Sequence, residues 1–169
     1  RVGLWVPSES TGLSIVENTF DALTDNKNDG GIVGLYVMDA QGPCRVEDNR
    51  IAGFVIGIAL NKGLFGDAPF SLATGSTIAG NYVVRVGAQM EAGTAKAFGI
   101  DVAADDCVVT DNLLVYGSTD YGGISVSGGN PIVERNHLRS LVGQAGATQA
   151  GGIVVARLGA KGSLGSIGG

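Results

Sequence analysis

Two short patterns of apolar and polar residues alternate along almost the whole chain. The first is a glycine followed by apolar, variable and apolar residues, and it begins at Gly3, Gly34, Gly57, Gly99, Gly123 and Gly152. The second surrounds an asparagine with apolar residues, and its asparagines are Asn18, Asn49, Asn81, Asn112 and Asn136. Because apolar residues recur at every second position in both patterns, the sequence predicts short strands with one face buried.

The distance between repeats predicts how these strands are arranged. Successive asparagines of the second pattern lie 31, 32, 31 and 24 residues apart. Self-similarity with a period of tens of residues is typical of a solenoid. A three-sided coil of parallel strands needs about 20 or more residues, and the excess goes into loops. The sequence therefore predicts an all-β fold, a parallel β-helix of about five coils with little or no α-helix.

The alternation assigns one inward column of apolar residues to each strand of a coil. These columns are Leu4, Leu35, Ile58, Ile100, Ile124 and Ile153; Ile15, Val46, Ile78, Val109 and Val133; and Phe20, Ile51, Val83, Leu114 and Leu138. The aligned asparagines are expected in a turn, where asparagine tolerates left-handed backbone and can hydrogen-bond its counterparts in neighbouring coils. Cys44 and Cys107 fall in a further inward column. With one coil between them they would lie about 9–10 Å apart, too far for a disulfide.

These patterns resemble the right-handed parallel β-helix repeat of the pectate-lyase-like superfamily, over about residues 3–156. The resemblance implies a right-handed helix. It leaves the activity open, because that superfamily includes lyases, glycoside hydrolases, epimerases, phage tailspikes and non-catalytic surface proteins. We expect the β-helix domain to occupy residues 1–158 and a Gly/Ser-rich tail or linker to occupy 159–169. The chain is interpreted as a fragment or processed piece of a longer protein.

Composition narrows the range of partners. Glycine accounts for 29 of 169 residues without a G-X-Y period, which excludes a collagen. The net charge is −5. This negative net charge argues against binding to nucleic acid or anionic membranes, which need clustered Lys or Arg. It also disfavours binding to strongly anionic polysaccharides without a bridging cation. The sequence has no apolar run of about 18 residues, so no membrane span is predicted.

Three aspartates are the candidate catalytic residues. Asp105 and Asp106, with Asp101 four residues upstream, resemble the paired carboxylates of polygalacturonase-like glycosidases, in which one Asp donates a proton and others activate water. The chain lacks that family's Asn-Thr-Asp, Gly-His-Gly and Arg-x-Lys motifs. A lyase would need a base and a group that stabilises the developing negative charge. The outward residues of the glycine-led strands supply one acid and neither Lys nor Arg: Trp5, Tyr36, Ala59, Asp101, Ser125 and Val154. The preferred interpretation assigns no catalytic residue, and the three aspartates belong to the enzyme alternative.

Four segments depart from the repeat and are candidate binding loops, since loops on a rigid scaffold commonly carry function. They are Asp21–Gly31, Asn61–Gly75, Val84–Phe98 and Arg139–Gly151. Four aromatic residues are the predicted ligand-binding residues, because aromatic rings can stack on sugars. They are Trp5, Tyr36, Phe65 and Phe70. The alternative is that Trp5 and Tyr36 cover a coil edge and that the loop carrying Phe65 and Phe70 packs over a coil end or a partner's surface.

Two further groups of polar residues are candidates for binding. Four acids beside the ladder asparagines could bind Ca²⁺ through oxygen ligands, or could be solvated turn residues near arginines. They are Glu47, Asp48, Asp111 and Glu134. No metal site is assigned, and Ca²⁺ is the one cofactor considered. His137, the only histidine, shares an outward column with Arg50 and Tyr82, and these three are predicted to form a polar surface patch.

Three functions fit the sequence. The preferred one is a non-catalytic β-helix module of a larger extracellular, cell-surface or virion-associated protein, acting as a rigid scaffold or a glycan-contact surface. The second is a fragment of a polysaccharide-degrading enzyme. The third is a self-assembling structural protein, because open coil ends favour homo-oligomers or end-to-end stacking. The expected partners are accordingly a polysaccharide or a neighbouring protein chain.

Overall fold

The protein is a parallel β-helix. The computed structural model describes residues 2–6, 10–22, 31–61, 70–86, 98–116, 122–140, 152–156 and 166–167. Each coil contributes one strand to each of three sheets, here named A, B and C in the order in which the chain meets them, and every strand pair is parallel. In the described part the only helix is a short 3-10 helix at Phe70–Ala73. The predicted fold class is confirmed, and the right-handed sense is the one that parallel crossover connections favour.

The strands follow the repeat along the chain. Sheet A contains β1 (Val2–Val6), β4 (Gly31–Val37), β7 (Phe54–Leu60), β10 (Phe98–Ala103), β13 (Gly122–Ser127) and β16 (Ile153–Ala156). Sheet B contains β2 (Ser14–Val16), β5 (Arg45–Glu47), β8 (Thr77–Ala79), β11 (Val108–Thr110), β14 (Ile132–Glu134) and β17 (Ser166–Ile167). Sheet C contains β3 (Thr19–Asp21), β6 (Arg50–Ala52), β9 (Tyr82–Val86), β12 (Leu113–Tyr116) and β15 (His137–Ser140).

The predicted inward columns form one continuous core. Strand pairing aligns Leu35 with Ile58, and Val46 with Ile78, in the predicted register. These side chains are fully buried, as are their counterparts in the middle coils. The core therefore consists of aliphatic residues stacked at the strand spacing, roughly 4.8 Å per coil.

The corner between sheets B and C has the same form in every coil. It consists of two residues, and the second is the ladder asparagine. The first has left-handed backbone, with φ between 52° and 64°, in all five coils: Glu17, Asp48, Gly80, Asp111 and Arg135. The left-handed residue turns the chain sharply and places the next side chain inside the stack, which explains why asparagine recurs there.

The asparagines form a hydrogen-bonded ladder in which each asparagine donates to the asparagine of the following coil. The Asn49 backbone N–H and Nδ2 both donate to Asn81 Oδ1, each over 3.0 Å, and Asn81 makes the same two bonds to Asn112. Asn81 Nδ2 also donates to the Val46 carbonyl over 2.8 Å and to the Ala79 carbonyl over 3.0 Å. The predicted ladder is confirmed from Asn18 to Asn136, and it satisfies the buried polar groups of the corner.

The glycine of the first pattern has a steric reason that the alternation did not reveal. A Cβ at Gly34 would overlap the Ile51 side chain, and a Cβ at Gly57 would overlap Val83 and lie 2.5 Å from the Gly99 carbonyl oxygen. This position therefore points into the core. Because the following residue, such as Leu35, is also fully buried, two consecutive residues face inward and only glycine leaves enough room.

Both cysteines are buried and free, as expected from their position in an inward column. Ser76 occupies the same column between them, and its hydroxyl accepts a hydrogen bond from the Cys44 backbone N–H over 3.0 Å. Burial raises the pKa of the Cys107 thiol to about 12. The two thiols are therefore core groups of separate coils.

The last described strand lies inside the segment predicted to be a tail. Ser166–Ile167 pairs with β14 as the sixth strand of sheet B. The boundary at residue 158 stays a prediction. No helix in the described part of the chain has the length and hydropathy of a membrane-spanning segment, which fits the absence of a predicted span.

Candidate functional site

The three corners of the coil differ in the number of residues that connect their strands, and this difference identifies sheet A as the candidate binding face. The corner from sheet B to sheet C always has two residues. The connection from sheet C to sheet A ranges from Gly53 alone to residues 141–152, and that from sheet A to sheet B ranges from residues 104–107 to residues 61–76. Sheet A is thus bounded on both sides by connections of variable length. Since binding residues are commonly presented beside such loops, its outer face is the candidate functional site.

Strand pairing brings the predicted outward residues of sheet A into one row. The row runs across the strands as Trp5, Tyr36, Ala59, Asp101 and Ser125. Val154 is next in register, but its side chain lies outside the description. Neighbouring members are separated by roughly 4.8 Å, so the row runs along the helix axis.

Trp5 is the exposed aromatic residue of this row. It is 59% exposed, the largest value among the exposed large hydrophobic side chains of the described residues. Val2, on the same strand, is also exposed. A tryptophan fixed on a strand offers a flat apolar surface at a low cost in conformational entropy, because only two side-chain torsions must be restricted.

Tyr36 lies on the same outer face but is only 5% exposed. It forms a small buried cluster with Val33 and Ala59, against which Met38 and Ile56 pack. Its hydroxyl is buried without a hydrogen-bond partner in the described part of the chain. Tyr36 therefore contributes packing beneath this face, and its predicted role in ligand binding stays a prediction.

The fourth and fifth coils make the same face polar. Asp101 is half-buried beside Ser125, and both Ser125 and Ser127 are buried on β13. In register, Ala59 separates Asp101 from Tyr36. The row thus changes from an exposed indole at the first coil to partly buried oxygen groups at the fourth and fifth.

Asp105 and Asp106 lie at the corner between sheets A and B rather than on the sheet A face. Asp105 Oδ1 accepts a hydrogen bond from the Gly129 backbone N–H over 2.5 Å. Asp106 has left-handed backbone, and its Oδ1 accepts from Asn130 Nδ2 over 3.2 Å. Both carboxylates therefore connect one coil to the next. This arrangement gives them a structural role at a tight turn, and the catalytic alternative stays a prediction.

Three of the four acids considered as calcium ligands, Glu47, Asp111 and Glu134, have arginine partners. Arg45 bonds Glu47 through two nitrogens, and its hydrogen bonds lower the pKa of that carboxyl group. Arg135 bonds both oxygens of Asp111 over 2.9 Å and contacts Glu134, and its hydrogen bonds lower the pKa of Asp111. Among the described residues there is no group of three or more His, Cys, Asp or Glu side chains that could hold a metal ion. Calcium was only an alternative to the assignment of no metal site, and neither of the two is tested by these contacts.

The predicted polar patch lies on the outer face of sheet C. Arg50 and Tyr82 are aligned on neighbouring strands, and the guanidinium carbon lies 5.2 Å from the centre of the tyrosine ring. Leu113 separates Tyr82 from His137 in the same column. The patch therefore has two polar ends separated by an apolar residue, in the order of the predicted outward column.

Two predicted aromatic residues fall outside the description, and one structural asparagine was missed. Phe65 lies outside the described residues; the backbone of Phe70 begins the 3-10 helix, but its side chain is not described. Asn61, expected only as an outward loop residue, is buried with left-handed backbone, and its Oδ1 accepts the Ala40 backbone N–H over 2.9 Å. Its position directly after a strand was the sequence signal that could have predicted a turn with left-handed backbone.

Comparison of the chain with protein-family models, with curated proteins and with solved structures finds no match.

Proposed function

We propose that this chain is a non-catalytic module of a larger extracellular, cell-surface or virion-associated protein. It is a right-handed β-helix of the pectate-lyase-like type that serves as a rigid scaffold and contacts polysaccharide through the outer face of sheet A. The observation that carries the contact role is the exposed Trp5 indole on a strand of that face.

The scaffold role is supported by how completely the coils are bound to one another. Apolar columns fill the interior, and the asparagine ladder links all five B-to-C corners. Asp105 and Asp106 also accept hydrogen bonds from the next coil. Such a stack gains stability from each interface between neighbouring coils, which suits a long and stiff spacer.

The contact role is supported by the position of Trp5. The indole stands on a strand that pairs with the strand of Tyr36, and Tyr36 is packed in a buried cluster. A sugar ring could lie against the exposed indole without reorganising the backbone, which reduces the cost of binding. The affinity expected from one aromatic platform is weak, in the range of about 0.1–1 mM.

The experiment uses the fact that the chain has a single tryptophan. Its fluorescence is recorded while the protein is titrated with soluble neutral and acidic polysaccharides. We expect a saturable change in intensity or wavelength with at least one of them. Affinity gel electrophoresis then compares Trp5→Ala, which should lose retardation by that polysaccharide, with Ile132→Ala, an exposed apolar residue on sheet B, which should keep it.

Two outcomes would contradict the proposal. Retardation that is equal in the Trp5→Ala variant and the parent would place the contact elsewhere. A fluorescence signal that stays constant across the whole panel would remove the glycan-contact role.

A further inference from the structure

Sheet C ends one strand earlier than the other two sheets. In the described part of the chain, sheets A and B each have six strands, whereas β15 is the fifth and last strand of sheet C. One edge of β15 pairs with β12, and no described strand pairs with the opposite edge, here called the β15 edge. Because the neighbouring sheets already have their sixth strands, the β15 edge can accept a single strand rather than a whole coil.

The corner before β15 lacks hydrogen bonds that every earlier coil makes. In the first four coils, the backbone N–H of the ladder asparagine donates to the side-chain oxygen of the next one. Its carbonyl accepts the N–H of the residue that follows that next asparagine. Asn136 has neither partner in the described part of the chain, and it is half-buried, whereas Asn112 is fully buried. An asparagine on an added strand would supply both bonds.

The side chains beside this edge specify the chemistry of an added strand. Leu138 is half-buried, whereas Leu114, which precedes it in the same inward column, is fully buried. An apolar residue in the next position would therefore cover Leu138. Arg139 is exposed on the outer face and has no carboxylate within ion-pair distance in the described part of the chain, and Arg135 is exposed at the corner. Acidic residues directly opposite these two arginines would be favourable.

These requirements define a short sequence pattern that runs parallel to β15: acid, asparagine, any residue, apolar residue, acid. The chain itself contains this pattern at Glu17–Asp21, where β3 pairs with β6. A second copy of the chain does not fit the β15 edge through these residues. It would bring β1 and β2 together with β3, and sheets A and B already have their sixth strands. A single extended segment fits instead.

We infer that the β15 edge binds an extended acidic segment of a partner protein, which adds to sheet C as a parallel strand and continues the asparagine ladder. In such strand addition, main-chain hydrogen bonds supply affinity, and the side chains of alternate residues supply specificity. A polysaccharide or a nucleic acid has no backbone amides at the strand spacing, so this edge favours a polypeptide. The surface is separate from that of Trp5, and the inference does not depend on the glycan-contact role.

The experiment measures, by fluorescence anisotropy, the binding of a labelled, end-blocked peptide with the sequence of residues 16–22. N-methylation of its threonine removes the amide that would donate to the Asn136 carbonyl, and it should weaken binding by about tenfold or more. N-methylation of its phenylalanine is the matched control. Successive amides of a strand point to opposite sides, so this change should weaken binding by less than about threefold. Replacing the peptide asparagine by alanine should cost about tenfold, because the Asn136 N–H loses its acceptor.

A second set of measurements tests the charged contact. Arg139→Gln in the protein, or asparagine in place of the last aspartate of the peptide, should each weaken binding by about threefold to tenfold. The two changes together should cost no more than either alone, because they remove the same contact. Arg45→Gln, which alters an exposed arginine on sheet B, is the matched control and should bind the peptide like the parent.

Four results would overturn the inference. The parent chain could show no saturable binding of the peptide. The two N-methylated peptides could bind equally, which would mean that the strand edge is not used. A peptide of the same composition in reversed order could bind as well as the original, so that charge alone would account for the affinity. Finally, the chain could self-associate in sedimentation experiments and be dissociated by the peptide, which would make a second copy the occupant.

Discussion

The asparagine ladder permits a comparison of one substitution in two surroundings. Asn81 is fully buried in the middle of the stack, whereas Asn18 is exposed on the first described coil. Replacing either by alanine deletes the same atoms. The loss of stability should nevertheless differ, because the groups that the two side chains satisfy differ in burial.

The magnitude follows from the bonds that disappear. In Asn81→Ala the buried Asn49 backbone N–H loses its acceptor, and the Val46 carbonyl loses the donor 2.8 Å away. Each buried group left without a partner costs about 1–3 kcal/mol, so the free energy of unfolding should fall by about 2–6 kcal/mol. Asn18 donates to Asn49 Oδ1 and to the Val16 carbonyl, and its own Oδ1 accepts no hydrogen bond in the described part of the chain. Asn18→Ala should cost about 1 kcal/mol or less, because water can replace those bonds.

The assay is equilibrium urea unfolding followed by far-ultraviolet circular dichroism, with the m-value checked to be unchanged. The reasoning requires the midpoint of Asn81→Ala to fall well below that of Asn18→Ala. Equal midpoints would mean that the ladder bonds add nothing beyond the side chain itself.

Three further predictions concern the core. Gly57→Ala should lower stability by about 1–3 kcal/mol because its Cβ would overlap the core. Gly152→Ala, whose Cβ would meet no atom of the described residues closer than 3.8 Å, should stay within about 0.5 kcal/mol, and equal melting temperatures would refute the steric explanation. Val46→Asp should cost several kcal/mol by burying an unpaired charge, whereas the exposed His137→Ala should change stability by no more than about 0.5 kcal/mol. If these two melted alike, the assignment of inward and outward faces would be wrong. The Cys107 thiol, with its pKa raised to about 12, should resist alkylation at pH 8 until the chain is denatured, as peptide mass spectrometry would show. A thiol in the unfolded chain has a pKa of about 8.5. As the pH rises from that value towards 12, the unfolded chain loses a proton that the folded chain keeps, so the free energy of unfolding should decrease.

The fold could be predicted from the sequence because the repeat supplies the same information five times. A single alternation such as that around Val46 is ambiguous, but its alignment with Ile78 and Val109 defines a column. The asparagine could be interpreted in the same way, since its recurrence at one position indicated a turn and a ladder.

The exposure of the site residues could not be predicted on the same basis. Alternation correctly placed Tyr36 outward, but it carries no information about what covers an outward residue, and Tyr36 is buried. The alternation rule also fails locally at Gly34 and Leu35, which both face the core. Both differences depend on contacts between segments that are distant in the sequence.

The arrangement of the three candidate acids bears directly on whether the module can be an enzyme. We expect no turnover of homogalacturonan or alginate, because Asp101 lies on the sheet A face while Asp105 and Asp106 accept hydrogen bonds from Gly129 and Asn130 at a corner. A glycosidase needs two carboxyl groups on either side of the scissile bond, one of them able to donate a proton. The test measures new reducing ends and unsaturated products across a polysaccharide panel. Asp105→Asn keeps the oxygen that accepts from Gly129, so this variant should fold normally. Activity in the parent that disappears in Asp105→Asn, with its melting temperature preserved, would replace the scaffold by an enzyme whose acids act at this corner.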